Sequence, residues 1–299
     1  MPMDLCGDIF RRLAPMMGHS VRMAIEGTSA TVGAQPIWLR KASDVRVIGF
    51  DEKSGSTLLK LEAPPLGEAA KELYTQNTFW ETRPSEHDTA VNVFARVMLE
   101  VRKANAESTL YDRQLLRRFG HLHSLFSHDV LAVHLPTTSD DAERTALLDE
   151  QVVQNAVQLS ERTPPSTQIR LTGKLDMIRY STRSFGLVTD EGVEVRGVLD
   201  SQEQTDSLKA FLGRRVLVLG KAVYRPSGSL LRIDAAGIEQ GDGQPLLFSR
   251  IPPARTSRPH LVRNRPADVQ KRGVAAFFGT WPGEETDDDF EAMVKELRG

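Results

Sequence analysis

A single cysteine, Cys6, is all the thiol in this 299-residue chain. One cysteine excludes an intrachain disulfide framework and fits a reducing compartment. Long apolar runs are also lacking. Apolar runs such as 216–219 have the length of a strand, far short of the ~20 residues of a membrane helix. The opening MPMDLCGDIFRRLAPMMGHS has no basic start followed by an apolar stretch. It is therefore not expected to be a secretion signal, and the chain reads as cytoplasmic. Charge of one sign does not dominate. A net charge of −2 confines any nucleic-acid site to a local patch.

The common catalytic strings are missing as well. There is no GxxxxGK[ST], HExxH, GxSxG or dinucleotide-binding glycine run. Gly18-His19-Ser20 lacks the later glycine of a nucleophile elbow, and Glu86-His87-Asp88 is an acid–base trio in sequence only. No catalytic residue is assigned and no cofactor is expected. His121, His123, His128 and His134 crowd one stretch. His121 and His123 stand two apart on a predicted helix and point to different faces. Zinc needs three or four converging ligands, so no metal site is expected.

What is present is an ordinary globular composition, 40% hydrophobic and 26% charged. It is compatible with a buried core and argues against global disorder. The length predicts about two domains. Residues 21–25, 37–39, 45–50 and 57–61 are short β-rich runs punctuated by Gly27, Gly33, Gly49 and Gly55. The period then changes. Val91, Phe94, Met98 and Val101, and next Tyr111, Leu115, Phe119, Leu122 and Phe126, recur at helical spacing. A strand-rich sheet with two amphipathic helices predicts an α+β domain over 1–135, with 130–135 as its last strand. Residues 136–166 read as a connector. Ala146, Leu147, Leu148, Val152, Val153 and Val157 give a helix at 140–160 an apolar side, and Pro164-Pro165 closes it.

Residues 167–242 carry the clearest pattern. Runs at 169–180, 185–189 and 193–199 read as strands, Gly173 as a bulge in the first, and Asp190-Glu191-Gly192 as a turn. A short helix at 205–212 follows, with Thr205 as its cap and Gly213 at its end. Strands at 216–224 and 230–235 flank the turn Pro226-Ser227-Gly228. Three strands, a helix and two strands is the order of an OB fold. The segment LTGKLDMIRYSTRSFGLVTDEGVEVRGVL resembles the first three strands of that family. The resemblance implies a face that stacks single-stranded bases on aromatics beside positive charge. Here the aromatics are Tyr180, Phe185 and Tyr224. The cations are Lys174, Arg179, Arg183, Arg196, Arg225 and Arg232.

The chain changes character beyond the barrel. Residues 243–273 form a basic, proline-containing linker with Arg250, Arg255, Arg258, Arg263, Arg265, Lys271 and Arg272, expected to be extended. The tail, 274–299, is written as a helix. Thr286 can cap it, Asp287, Asp288 and Asp289 oppose the positive end of its dipole, and Lys295 and Arg298 complement the other end. Phe290, Met293, Val294 and Leu297 form one apolar stripe, with Phe277, Phe278 and Trp281 just before it. A helix this short is marginal alone, so the stripe needs a surface to cover. The string FFGTWPGEETDDDFEAMVKELRG resembles the tails of small bacterial antitoxins. That resemblance implies a protein partner, a nuclease-like toxin, held by the tail. The expected function is thus non-catalytic regulatory binding through Phe277, Phe278, Trp281, Phe290, Met293 and Leu297. One alternative is a single-stranded nucleic-acid-binding protein using the barrel face and the linker. Another is an enzyme whose dispersed residues leave no local trace.

Overall fold

The computed structural model describes residues 3–30, 35–53, 55–74, 84–126, 130–138, 145–199, 201–241 and 250–254. All of them belong to one unit, Met1–Thr256. The tail with its six anchor residues, most of the basic linker and His128 lie outside the described residues. The fold is mixed α+β, with helices and a closed five-strand barrel.

The N-terminal region is richer in helix than its sequence predicts. Helix α1 (Met3–Glu26) takes in the expected strand at 21–25. Residues 20–29 are all buried, Arg22 and Glu26 included, so this stretch has no exposed face to set an amphipathic period. Helix α2 (Ile37–Ala42) replaces the expected strand at 37–39; Leu39 and Ala42, three apart, are its buried pair. The next two runs do form strands. β1 (Arg46–Lys53) and β2 (Ser56–Glu62) pair as an antiparallel hairpin, followed by the one-turn helices α3 (Leu66–Ala69) and α4 (Lys71–Tyr74).

Helix α5 (Ala90–Arg102) starts at a Thr89–Asn92 capping box and buries Val91, Phe94, Met98 and Val101, as their spacing predicts. Helix α6 (Arg113–Gly120) runs into a 3₁₀ turn at His121–Leu125. The Phe94 and Phe119 rings stack between α5 and α6 with centroids 5.6 Å apart. Strand β3 (Val133–Pro136) pairs with β4 (Thr145–Leu148). Ala146, Leu147 and Leu148 are therefore strand residues, where a helix at 140–160 was expected. The cause is Asp149, whose carboxylate accepts the Val152 N–H at 3.0 Å and fixes the start of α7 (Glu150–Arg162). Helix α7 joins the same core as α1, α5 and α6 through Val152, Val153, Ala156 and Leu159.

The barrel consists of β5 (Thr167–Arg179), β6 (Ser184–Val188), β7 (Glu194–Leu199), β8 (Arg215–Tyr224) and β9 (Leu230–Gln240). It closes in the order β5-β6-β7-β9-β8; β7 and β9 are parallel and the other pairs antiparallel. This arrangement is compatible with an OB-like barrel. The inserted helix α8 (Gln202–Ser207) starts earlier than expected. Ser201 caps it in a box with Gln204, while Thr205 is buried inside it. Gly213 has φ +76, in keeping with its place after the helix. Phe185, Leu171, Val218 and Ile233 fill the barrel, and Ile251 and Ala254 pack against that core. Leu231 points the other way, into the core of the helical layer. No helix among the described residues is long and apolar enough to cross a membrane.

Candidate functional site

The helical layer and the barrel meet through buried charge. Asp112 caps α6, its Oδ1 accepting the Leu115 N–H at 3.0 Å. The same carboxylate accepts the Ser29 hydroxyl at 2.5 Å, the Ser29 N–H at 3.1 Å and Arg232 Nη1 at 3.1 Å. Arg232, on β9, also donates to Asp234 at 2.7 Å and to the Thr28 hydroxyl at 3.2 Å. Asp112 and Arg232 are only 3% and 4% exposed, so the pair stands only because each remaining polar atom finds a partner. Burial alone would raise the Asp112 pKa. The Arg232 charge and the hydrogen bonds from Ser29 and Leu115 outweigh it and hold the carboxyl below its usual value. A second buried pair, Arg22 to Glu26 at 2.7 Å, lies on α1.

Beside this junction is a cleft of about 770 Å³. Its barrel wall comes from Met177, Gly186, Val188, Val193 and Val195; Met23, Gly27 and Thr109 face it from the helical layer, and Leu230, Leu231 and Ile251 complete it. Among the described residues the lining is mostly apolar and contains no aromatic residue. Its charged residues among those described are Arg196, Arg225, Asp176 and Glu194. The two carboxylates are exposed, the two guanidinium groups half-buried. Gly27 ends α1 with φ +75, and a Cβ there would overlap the Arg196 guanidinium. Arg196 thus lies flat on bare backbone and reaches Ile25 O at 3.5 Å. Burial, then the charges of Arg232 and Arg179, push its pKa down to about 9. Arg225 donates from Nη1 to the Ser229 hydroxyl at 3.1 Å and to Leu230 O at 2.7 Å, which shapes the β8–β9 turn. Burial lowers the Arg225 pKa on balance, against the charge of Glu107, which accepts from the same Ser229 hydroxyl at 2.8 Å.

The residues singled out for a nucleic-acid face are dispersed. Tyr224 and Phe185 are buried in the barrel, with the Tyr224 hydroxyl 2.9 Å from that of Thr167. Neither ring offers a stacking surface. Arg232 is held at Asp112, and Arg179 donates to Leu73 O at 3.0 Å. Arg196 and Arg225 line the cleft. Lys174 is exposed on β5. Tyr180 and Arg183 lie in the β5–β6 turn; Arg183 has φ +52, and Lys209 sits over the Tyr180 ring, 4.8 Å from its centroid. Among the described residues no three of His, Cys, Asp and Glu come together as a metal site.

Asp112, Ser29, Met177 and Thr109 stand in no recognisable functional motif. Asp112 had one local signal, a carboxylate three residues before Leu115 at a helix start. Its bond to Arg232, 120 residues away, had none. Comparison with protein-family models, with curated proteins and with solved structures finds no match for this chain.

Proposed function

We propose that this chain is a non-catalytic regulatory protein whose C-terminal tail engages a protein partner in an antitoxin-like way, carried on a body that includes an OB-type barrel. The observation that carries this reading is the tail sequence. A Thr286 cap, three acids and the stripe Phe290, Met293 and Leu297 follow the aromatics Phe277, Phe278 and Trp281. Aromatic anchors beside a short amphipathic helix make up a segment that folds against a partner's groove. The strand order β5-β6-β7-β9-β8 supports the OB assignment. A nuclease-like toxin is the partner class that the antitoxin resemblance implies. The test is co-purification of a partner with the full chain and with a chain ending at residue 273. Loss of the partner with the tail supports the proposal; equal retention by both chains refutes it.

A second reading is single-strand nucleic-acid binding. Its specific support is the β5–β6 turn, where Tyr180, Arg183 and Lys209 gather at one end of the barrel with Lys174 exposed on β5. Filter binding across a salt series tests it. Retention should fall with a log–log slope of about −0.7 per phosphate neutralised. Absence of retention at low salt removes this reading.

A further inference from the structure

We propose that the chain self-associates through the outer edge of β2, two copies pairing their β2 strands antiparallel about a two-fold axis that passes through Leu59. The first observation is what the hairpin leaves uncovered. Val47, Ile48, Phe50 and Leu58 are all exposed, Phe50 by 76%. Large apolar side chains exposed together on one element mark an interaction surface. Phe50 stands opposite Leu59, and Val47 opposite Leu61. Leu61 packs against the helical core, so the apolar face of the hairpin starts on that core and runs out into solvent. The second observation is the pairing. Among the described residues no third strand joins β1 and β2. A two-stranded hairpin is marginal by itself, and an open edge is a template for another strand.

The two edges differ. β1 carries an irregularity between Val47 and Gly49 that leaves Ile48 without a partner on β2, and a bulge of this kind disrupts further pairing. β2 runs from Ser56 to Glu62 without a skipped residue. Its sequence is also complementary to itself. Residues directly opposite in an antiparallel pair share a face, so the axis of a symmetric pair must pass through a residue. Through Leu59 it pairs the whole strand. Leu59 then meets Leu59, Leu58 meets Lys60, Thr57 meets Leu61 and Ser56 meets Glu62, and no charge stands opposite a like charge. Through Lys60 it would set two lysines against each other, and through Leu58 it would leave Leu61 and Glu62 unpaired. Lys60 is neutralised within its own hairpin by Asp51 at 2.7 Å. Centred on Leu59, Phe50 and Leu59 of one copy continue into Leu59 and Phe50 of the other, one apolar row across four strands.

The experiment uses the full chain. Sedimentation equilibrium over a concentration series measures self-association, and each variant is checked by its melting temperature. Leu59→Lys and Leu59→Glu each place like charges across the axis and remove the apolar contact there. Each should weaken association about tenfold or more, and an equal mixture of the two should restore it. Oxidative cross-linking in a Cys6→Ser background reads the register. Directly opposed residues have Cα atoms about 4.5–5.5 Å apart, within disulfide reach. Leu59→Cys should therefore cross-link into a dimer. Leu58→Cys lies diagonal to its counterpart, about 7–8 Å away, and should not, although Leu58 is the more exposed of the two. If the charged variants fail to fold, the two cysteine variants decide alone. A chain that stays monomeric at every concentration, association that Leu59→Lys and Leu59→Glu leave unchanged, or cross-linking by Leu58→Cys in preference to Leu59→Cys overturns the proposal.

Discussion

Asp112 shows how much of this fold rests on single side chains. It starts a helix, pins Ser29 and neutralises Arg232 on the barrel. Asp112→Ala leaves the Arg232 charge buried with only Asp234 beside it, and chemical denaturation should show a loss of about 3–5 kcal/mol. The pH dependence follows from the direction of the shift. The folded carboxyl titrates below its usual value, so its contribution is complete above about pH 4 and is lost as pH falls through the folded pKa. Asp112→Asn should therefore lose less stability on acidification than the wild type. Equal acid losses in the two proteins would remove this role. Tyr224 carries a different expectation. Its ring is buried, so Tyr224→Ala should destabilise by about 3–5 kcal/mol, as for other buried aromatics, rather than remove a base stack. Gly197→Ala makes a third case. A Cβ there overlaps the Phe185 ring, and the forced shift should cost about 1–3 kcal/mol in a denaturant titration.

Elements differ in how much of themselves they write into the local sequence. The barrel strands were legible because alternation and turns are local signals. Gly192 and Gly228 stand at φ +78 and +91 in the turns that Asp190-Glu191-Gly192 and Pro226-Ser227-Gly228 announce. Helix α5 was legible from its single buried stripe. The second half of α1 was not, because burial on every side erases the period, and Arg22 and Glu26 satisfy each other inside. The start of α7 was misplaced because apolar content at 146–148 suits a strand and a helix equally; the Asp149 cap settled it. The candidate site was the least legible. Arg196, Arg225 and Arg232 could be named as cations, but whether each meets a carboxylate, a carbonyl or an open cleft depends on residues far away in sequence. For the helix proposed at 286–298, outside the described residues, the sequence signals are again local. Thr286→Ala should reduce its partner-bound stability by about 1 kcal/mol, read as a modest loss of affinity.

At the scale of the whole molecule, the barrel has a core of its own, but Leu231 and Arg232 bind it to the helical layer. A fragment of residues 166–242 should still melt cooperatively, at a lower temperature than the full chain. A featureless melt would show that the barrel needs the helices to fold. The central claim concerns the tail, and one substitution tests it most directly. Trp281→Ala is compared with the wild type for co-purification of the partner and for melting temperature, side by side. An aromatic anchor in a desolvated pocket contributes ~2 kcal/mol or more, so partner affinity should fall ~30-fold or more while the melting temperature of the isolated protein stays unchanged. Unchanged partner affinity, or a lowered melting temperature without loss of a partner, would contradict it.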